Sequence, residues 1–281
     1  MQMIRSIKEM SAFSRLNRRK ARSIGFVPTM GALHQGHLSL IRRARKENDL
    51  VVVSIFVNPV QFGPRENLKK YPRNLIKDAE LCKKEKADVI FYPSVKQMYP
   101  LGFKTYIEVK GLSQLLCGVS RPGHFKGVAT VVAKLFNIVM PDVAYFGQKD
   151  AQQSVIIKKL VSDLNLPVRI EVLPIIREED GLALSSRNVY LGAKERGSAT
   201  VLYKALKEAR GLIKEGVLKP RYIIARMKGI IKKERYVKID YICMVGALDL
   251  KPVKKIKGKI LVALAAWIGR TRLIDNIVIN A

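Results

Sequence analysis

Val27-Pro28-Thr29-Met30-Gly31-Ala32-Leu33-His34-Gln35-Gly36-His37 decides how this chain reads. An apolar run from Ile24 to Val27 leads into it and predicts a strand. Leu38, Leu40, Ile41 and Ala44 follow at the spacing of one helix face. The motif therefore belongs on a strand-to-helix turn. Such a turn aims unpaired backbone N–H groups and the positive end of a helix at whatever lies above it, and phosphate is the usual guest. Gly31 and Gly36 let the backbone approach a ligand closely. His34 and His37 are three apart and share a face. Two imidazoles there donate hydrogen bonds to phosphate oxygens and stabilise charge that builds in a transition state. A metal pair or a polar cap is the competing reading. For a metal site, ligands are missing: the only other histidine is His124, and Cys82, Cys117 and Cys243 are scattered singly.

Working outward, residues 50–57 are a continuous β-branched run, the pattern of a strand buried on both faces. Strand, helix, strand implies a parallel sheet with a right-handed crossover. That strand ends in Asn58-Pro59-Val60-Gln61-Phe62-Gly63-Pro64, a loop at the carboxyl end, where open α/β sheets bind ligands. Asn58 and Gln61 offer uncharged amides, although an ordinary turn uses the same residues. Residues 1–20 predict a helix, with Ile4, Ile7, Met10, Phe13 and Leu16 on its apolar side. Further helices are expected over 74–86 and 126–140, and strands over 87–93 and 105–109. Residues 142–146 predict a strand that runs into Gly147-Gln148-Lys149-Asp150 and a helix from Ala151. This is a second strand-turn-helix anion site, to which Lys149 adds a full charge. Asp150 is placed to cap that helix, and Gln153 lies one turn in.

A strand over 168–173 closes at Pro174. The loop from Ile176 to Asn188 carries Ser185, Ser186 and Arg187 in succession. Hydroxyls beside a guanidinium suit a polyphosphate, while capping is the ordinary use of such serines. Beyond it the pattern becomes α+β: helices over 193–215 and 220–235, then strands over 238–244, 259–266 and 276–279. The expected organisation is an α/β, Rossmann-like parallel-sheet domain over residues 1–176. A smaller α+β domain over 177–281 would close over the site.

At 281 residues the chain can bury a sizeable core. Its formal net charge is +29, from 52 Lys and Arg against 23 Asp and Glu. That excess fits either a nucleic-acid binder or a lysine-rich solvated surface around an anionic substrate. The basic stretches match no nucleic-acid motif, which favours the second. No apolar run has the length of a membrane span, and residues 1–9 lack the apolar core of a secretory signal. Three singly placed cysteines point to the reducing cytoplasm.

Pro-Thr-Met-Gly-Ala-Leu-His-x-Gly-His at 28–37 resembles the pantothenate synthetase family, within the His-x-Gly-His nucleotidyltransferase superfamily. Residues 56–63, 146–153 and 185–188 resemble three further family blocks in the same order. Arg121-Pro122-Gly123-His124-Phe125 and residues 270–276 also look like family segments. The resemblance implies ATP-dependent joining of pantoate to β-alanine through pantoyl adenylate, releasing pyrophosphate and AMP. It places ATP at Met30, Gly31, Ala32, Leu33, His34, Gln35, Gly36 and His37. It continues that site through Gly147, Gln148, Lys149, Asp150, Ile176, Leu184, Ser185, Ser186 and Arg187. His34, His37, Lys149 and Arg187 become the catalytic set, with His37 the family's proton donor. Met30, Asn58, Gln61 and Gln153 frame pantoate and β-alanine. Mg2+ accompanies ATP, and Asp78 stands where the family has an acidic residue near it. Position 148 is more often Glu in the family. The resemblance also implies a homodimer, with no nucleic-acid or membrane partner. Another adenylyl- or cytidylyltransferase would share the His-x-Gly-His turn without needing Gln61 and Gln153. A basic nucleic-acid-binding protein would account for the charge but not the blocks.

Overall fold

The computed structural model describes residues 1–64, 66 and 68–281, Lys70 by its backbone alone. The chain forms two units: Met1–Gly147 with Ile156–Pro174, and Gln148–Val155 with Ile175–Ala281. The chain passes between the units after Pro174, near the single boundary expected at residue 176, and twice more, on either side of Gln148–Val155. The chain leaves the first unit at the end of a strand and re-enters it partway along the next helix.

The first unit contains β1 (Gln2–Ile4), α1 (Ile7–Arg19), β2 (Ile24–Thr29), α2 (Gln35–Glu47), β3 (Leu50–Ile55), α3 (Leu75–Lys84) and β4 (Val89–Phe91). After the short α4 (Val95–Met98) and α5 (Cys117–Ser120) come α6 (His124–Val139), β5 (Val143–Gly147), α7 (Ala151–Asp163), which belongs to this unit from Ile156 onward, and β6 (Arg169–Leu173). Its six strands are ordered β1-β4-β3-β2-β5-β6, and every pairing is parallel. β3 is buried at every position, as a strand covered on both faces must be. β2 lies at the centre with β3 on one side and β5 on the other. The carboxyl ends of β2 and β5 therefore flank the switch point of strand order, where such sheets bind ligands.

Two sequence expectations for this unit are corrected. Residues 1–20 are not one helix: Gln2–Ile4 form an edge strand against β4, and Ser6 caps α1. Positions three apart drift by roughly 60° per step around a helix, so five of them cannot share one face. Met10, Ser14 and Asn17 form the buried stripe of α1, and Leu16 is exposed. Residues 105–109 form no strand. Ile107 donates its N–H to Thr130 Oγ1 of α6 at 2.9 Å instead of to a neighbouring strand.

The second unit adds α8 (Ala193–Ala199), α9 (Val201–Lys214), α10 (Pro220–Ile231), β7 (Val237–Gly246), β8 (Lys259–Ile268) and β9 (Thr271–Asn280). The helix expected over 193–215 is two helices that meet at Thr200. β7-β8-β9 is an antiparallel sheet, longer-stranded than its sequence pattern suggested. Leu202, Leu206 and Ile213 of α9 and Ile223, Met227 and Ile231 of α10 are buried in one core with Ile260, Val262 and Leu264 of β8.

Candidate active site

The turn after β2 is built almost entirely from its own hydrogen bonds. Thr29 Oγ1 donates to the Ser54 carbonyl at 2.7 Å and accepts the Gly31 N–H at 3.1 Å. Asp78 of α3, 2% exposed, accepts the Ala32 and Leu33 N–H groups at 2.9 and 2.8 Å. His34 is the N-cap of α2: its Nδ1 accepts from Gly36 at 3.1 Å, while His37 Nδ1 accepts the His34 N–H at 3.4 Å. The His37 N–H returns to the His34 carbonyl at 2.8 Å. Gly31 has φ +82°, and a Cβ there would lie 2.9 Å from Asp78 Oδ2. A Cβ at Gly36 would lie 2.8 Å from the His34 ring.

This geometry adds three features to the sequence reading. The N–H groups of Gly31, Ala32, Leu33, His34, Gly36 and His37 are not left for phosphate, because each donates within the turn or to Asp78. Both glycines make room for a carboxylate or a capping side chain packed against the turn. Asp78, which the family resemblance placed near Mg2+, is buried beneath the turn. With each oxygen accepting a backbone N–H group, it is built as a clamp on the turn. No group of three His, Cys, Asp or Glu side chains able to hold a metal occurs among the described residues. What the turn presents is imidazole. Each Nδ1 is an acceptor, so in the neutral ring the proton sits on Nε2. His34 and His37, with ring centroids 4.1 Å apart, thus form a pair of Nε2–H donors at a helix N-terminus.

The loop after β3 is held as tightly. Asn58, 1% exposed, accepts from Val60 N–H at 3.3 Å and from the Tyr99 hydroxyl at 2.8 Å. It donates to Gln61 Oε1 and the Gly127 carbonyl, both at 3.1 Å. Two donors and two acceptors exhaust an amide. Asn58 accordingly supports Gln61 and has no bonding position left for substrate. Gln61 in turn donates Nε2 to Met30 Sδ at 3.1 Å, so two residues that the sequence assigned to pantoate stand together. His124 faces the Gln61 carbonyl through Nδ1 at 2.8 Å and Arg121 Nη1 through Nε2 at 2.9 Å. Arginine only donates, so Nε2 accepts and Nδ1–H donates to Gln61. Arg121 is fixed by a two-pronged ion pair with Glu66 at 2.7 and 2.9 Å. Tyr99 and Glu66 carry no motif and were missed in the sequence. Burial, with a further contribution from Tyr106, pushes the Tyr99 phenol well above its ordinary value and keeps it a donor.

In the second unit, Gln148–Asp150 form a 3₁₀ turn that runs into α7; Lys149 is half-buried and Asp150 exposed. Asn276 of β9 binds this turn at three points, through Gln148 Nε2 and the Gln148 and Lys149 carbonyls. Gln153 is half-buried, on the first turn of α7. The stretch from Ile176 is not an open loop. The Leu184 N–H donates to the Ile176 carbonyl at 3.0 Å and Arg177 bridges Ala183, which makes a short hairpin closed through Gly181. Ser185 Oγ accepts the Arg187 N–H at 3.2 Å and caps a 3₁₀ turn over Ser186–Tyr190. The capping role weighed for these serines is therefore present at Ser185. Arg187 donates Nη1 to the Arg272 carbonyl at 3.4 Å. In the preceding hairpin, the Arg196 guanidinium and the Leu182 N–H hold the Asp180 carboxyl below its ordinary value.

A family model described as pantoate-beta-alanine ligase matches residues 2–278. The pantothenate synthetase of Caldicellulosiruptor saccharolyticus is 55% identical over 280 residues, covering 100% of both chains. The solved pantothenate synthetase of Thermus thermophilus matches with a TM-score of 0.94 at 43% identity, over 99% of each chain. The pantoate-beta-alanine ligase of Francisella tularensis, solved with beta-gamma ATP and beta-alanine, gives a TM-score of 0.81 at 38% identity, over 99% of this chain and 97% of that one. The chain belongs to the pantoate-beta-alanine ligase family and is a ligase of pantoate and β-alanine.

Proposed function

We propose that the ligation is driven by ATP through a pantoyl adenylate. The pantoate carboxylate attacks the α-phosphorus and pyrophosphate leaves. The β-alanine amine then attacks the acyl carbon, loses a proton, and expels AMP. Adenylation replaces a poor leaving group with a good one, so the protein's work is positioning and charge stabilisation. The observation that carries the reading is the His34/His37 pair, whose Nδ1 contacts put the proton of each neutral ring on Nε2, as a donor suited to phosphate oxygens. The ATP and β-alanine held by the Francisella protein support the substrate choice.

Lys149, Ser186 and Arg187 are assigned to the same phosphates, with Lys149 meeting charge as it develops. Met30, Gln61 and Gln153 are assigned to pantoate. An uncharged amide holds its hydroxyl or carboxylate without ion-pairing it, so the carboxylate stays nucleophilic. Asn58 and His124 act one step back, by fixing Gln61. Mg2+ enters as the counter-ion of ATP and is treated as part of that substrate. The family resemblance further implies a cytoplasmic homodimer, which light scattering on the purified chain tests.

Pyrophosphate release measured across a panel of carboxylic acids and amines is the direct test. Release should require pantoate and ATP but not β-alanine, and rapid quench should then trap enzyme-bound adenylate. Pantothenate formed only when all three substrates are present together, with no adenylate trapped, would overturn the two-step order.

A further inference from the structure

We infer that Asn276, at the end of the chain and outside every segment assigned to substrate, is the positioning residue for Lys149. The inference rests on the phosphate role proposed above for Lys149. Asn276 is 3% exposed. Its Nδ2 donates to the Gln148 and Lys149 carbonyls, both at 3.0 Å, and its Oδ1 accepts from Gln148 Nε2 at 3.0 Å. Two carbonyls on one side and an N–H on the other admit one amide orientation. Holding the carbonyl of Lys149 fixes the peptide plane that follows it, and with it the direction in which the lysine stem departs.

Asn276 is itself anchored. Its N–H donates to Asp275 Oδ1 at 2.7 Å, and the β8 ladder pairs it with Ala263. Asp275, 3% exposed, receives both arms of Arg177 at 2.7 and 2.9 Å. Arg177 lies over the Tyr203 ring at 3.8 Å and donates to the Gly181 carbonyl at 3.0 Å. A buried, fully hydrogen-bonded network of this kind is stiff, because each member has a single partner geometry. It ends on the backbone of the one lysine that the sequence singled out in this turn. A preorganised charge acts on a transition state without first being reoriented, which gives the network a functional consequence beyond stability.

The test uses the full-length protein and pyrophosphate release. Asn276→Asp keeps size and Oδ1 but removes both N–H donors, so it should lower kcat by ~10-fold, the size of one or two lost hydrogen bonds. The KM for pantoate should stay within about twofold, as expected for loss of a contact made only in the transition state. In a Lys149→Ala background the same change should cost less than about twofold, because residues acting through one group are not additive. Equal losses in both backgrounds, or an unaltered kcat in the single variant, would overturn the positioning role. A Lys149→Ala protein with normal pyrophosphate release would remove the phosphate assignment first, and this inference with it. Should Asn276→Asp not fold, Asn276→Ser takes its place in the same cycle. Amide exchange at 149–152 then gives an activity-free readout: faster exchange is expected, and unchanged exchange counts against the inference.

Discussion

The turns at 30–37 and 147–151 look alike in sequence: a strand end, a glycine, polar residues, then a helix. Their construction differs. The first closes on itself through His34, His37 and Thr29, with Asp78 of α3 as its support from below. The second is held from β9 by Asn276, 127 and 128 residues away in the chain. The first turn offers neutral Nε2–H donors and spends its side chains on its own fold. The second carries a full ammonium, while its hold on β9 runs through two backbone carbonyls and the Gln148 amide. Under the roles proposed for these residues, one turn would couple catalysis to stability and the other would separate them.

The largest expected effect tests that separation. Lys149→Ala should slow pyrophosphate release by roughly 30- to 1000-fold, the worth of one charge-assisted contact at about 2–4 kcal/mol. Its Tm should barely move. His34→Ala should lower the rate and also remove an N-cap worth about 0.5–2 kcal/mol, so its Tm should fall as well. Rates by pyrophosphate release and Tm by calorimetry decide the matter. A Tm loss in the lysine variant equal to that in the histidine variant would erase the distinction between the two turns.

Asp78→Asn comes next. An amide oxygen accepts at one side only, so one of the Ala32 and Leu33 N–H groups would face an NH2. A buried donor left unpaired costs about 1–3 kcal/mol. At about 2–4 °C per kcal/mol for a chain of this size, calorimetry should show a drop of several degrees. The Mg2+ concentration needed for half-maximal rate should not change. A shifted magnesium requirement at unaltered Tm would return Asp78 to the metal role that its place in the family suggested.

These contrasts show where sequence reading succeeds. The parallel sheet was legible because Ile24 to Val27 and residues 50–57 are two-sided apolar runs separated by a helical period. His34 and His37 were legible because their spacing on a turn is local. Lys149 was legible as a charge in a phosphate-type turn, but its support was not: no local pattern links position 149 to position 276. The contacts of Asp78 with the turn were hidden for the same reason. A carboxylate on a polar stretch of α3 looks solvated until the turn folds over it. Leu16 misled for a different reason, since a three-residue spacing imitates a helical face over two turns and leaves it over four. Asn58 lay between these cases. Its amide was recognised, but its partners Tyr99 and Gly127 were not, and those partners turn it from a substrate contact into a support.

The smallest expected effect falls on that support and sharpens the comparison with a third case. The Gln61 loop, like the Lys149 turn, is fixed from a distance, but its anchor is a chain of neutral groups: Tyr99 to Asn58, and Asn58 to Gln61. Tyr99→Phe removes the hydroxyl that donates to Asn58 Oδ1 and keeps the ring, which packs edge-on against Phe103 with centroids 5.1 Å apart. Asn58 Oδ1 keeps the Val60 N–H as a partner, so the loss is one neutral hydrogen bond, about 1 kcal/mol. That amounts to roughly a fivefold rise in the pantoate concentration needed for half-maximal rate. ATP affinity should be untouched, because this chain of bonds approaches the His34/His37 turn only through the Gln61 Nε2 contact to Met30 Sδ. Titrations of pantoate and of ATP on the variant separate the two effects. A weakened ATP affinity with pantoate unaffected would mean that the loop serves the nucleotide, and that the division of labour between the two loops is drawn the wrong way round.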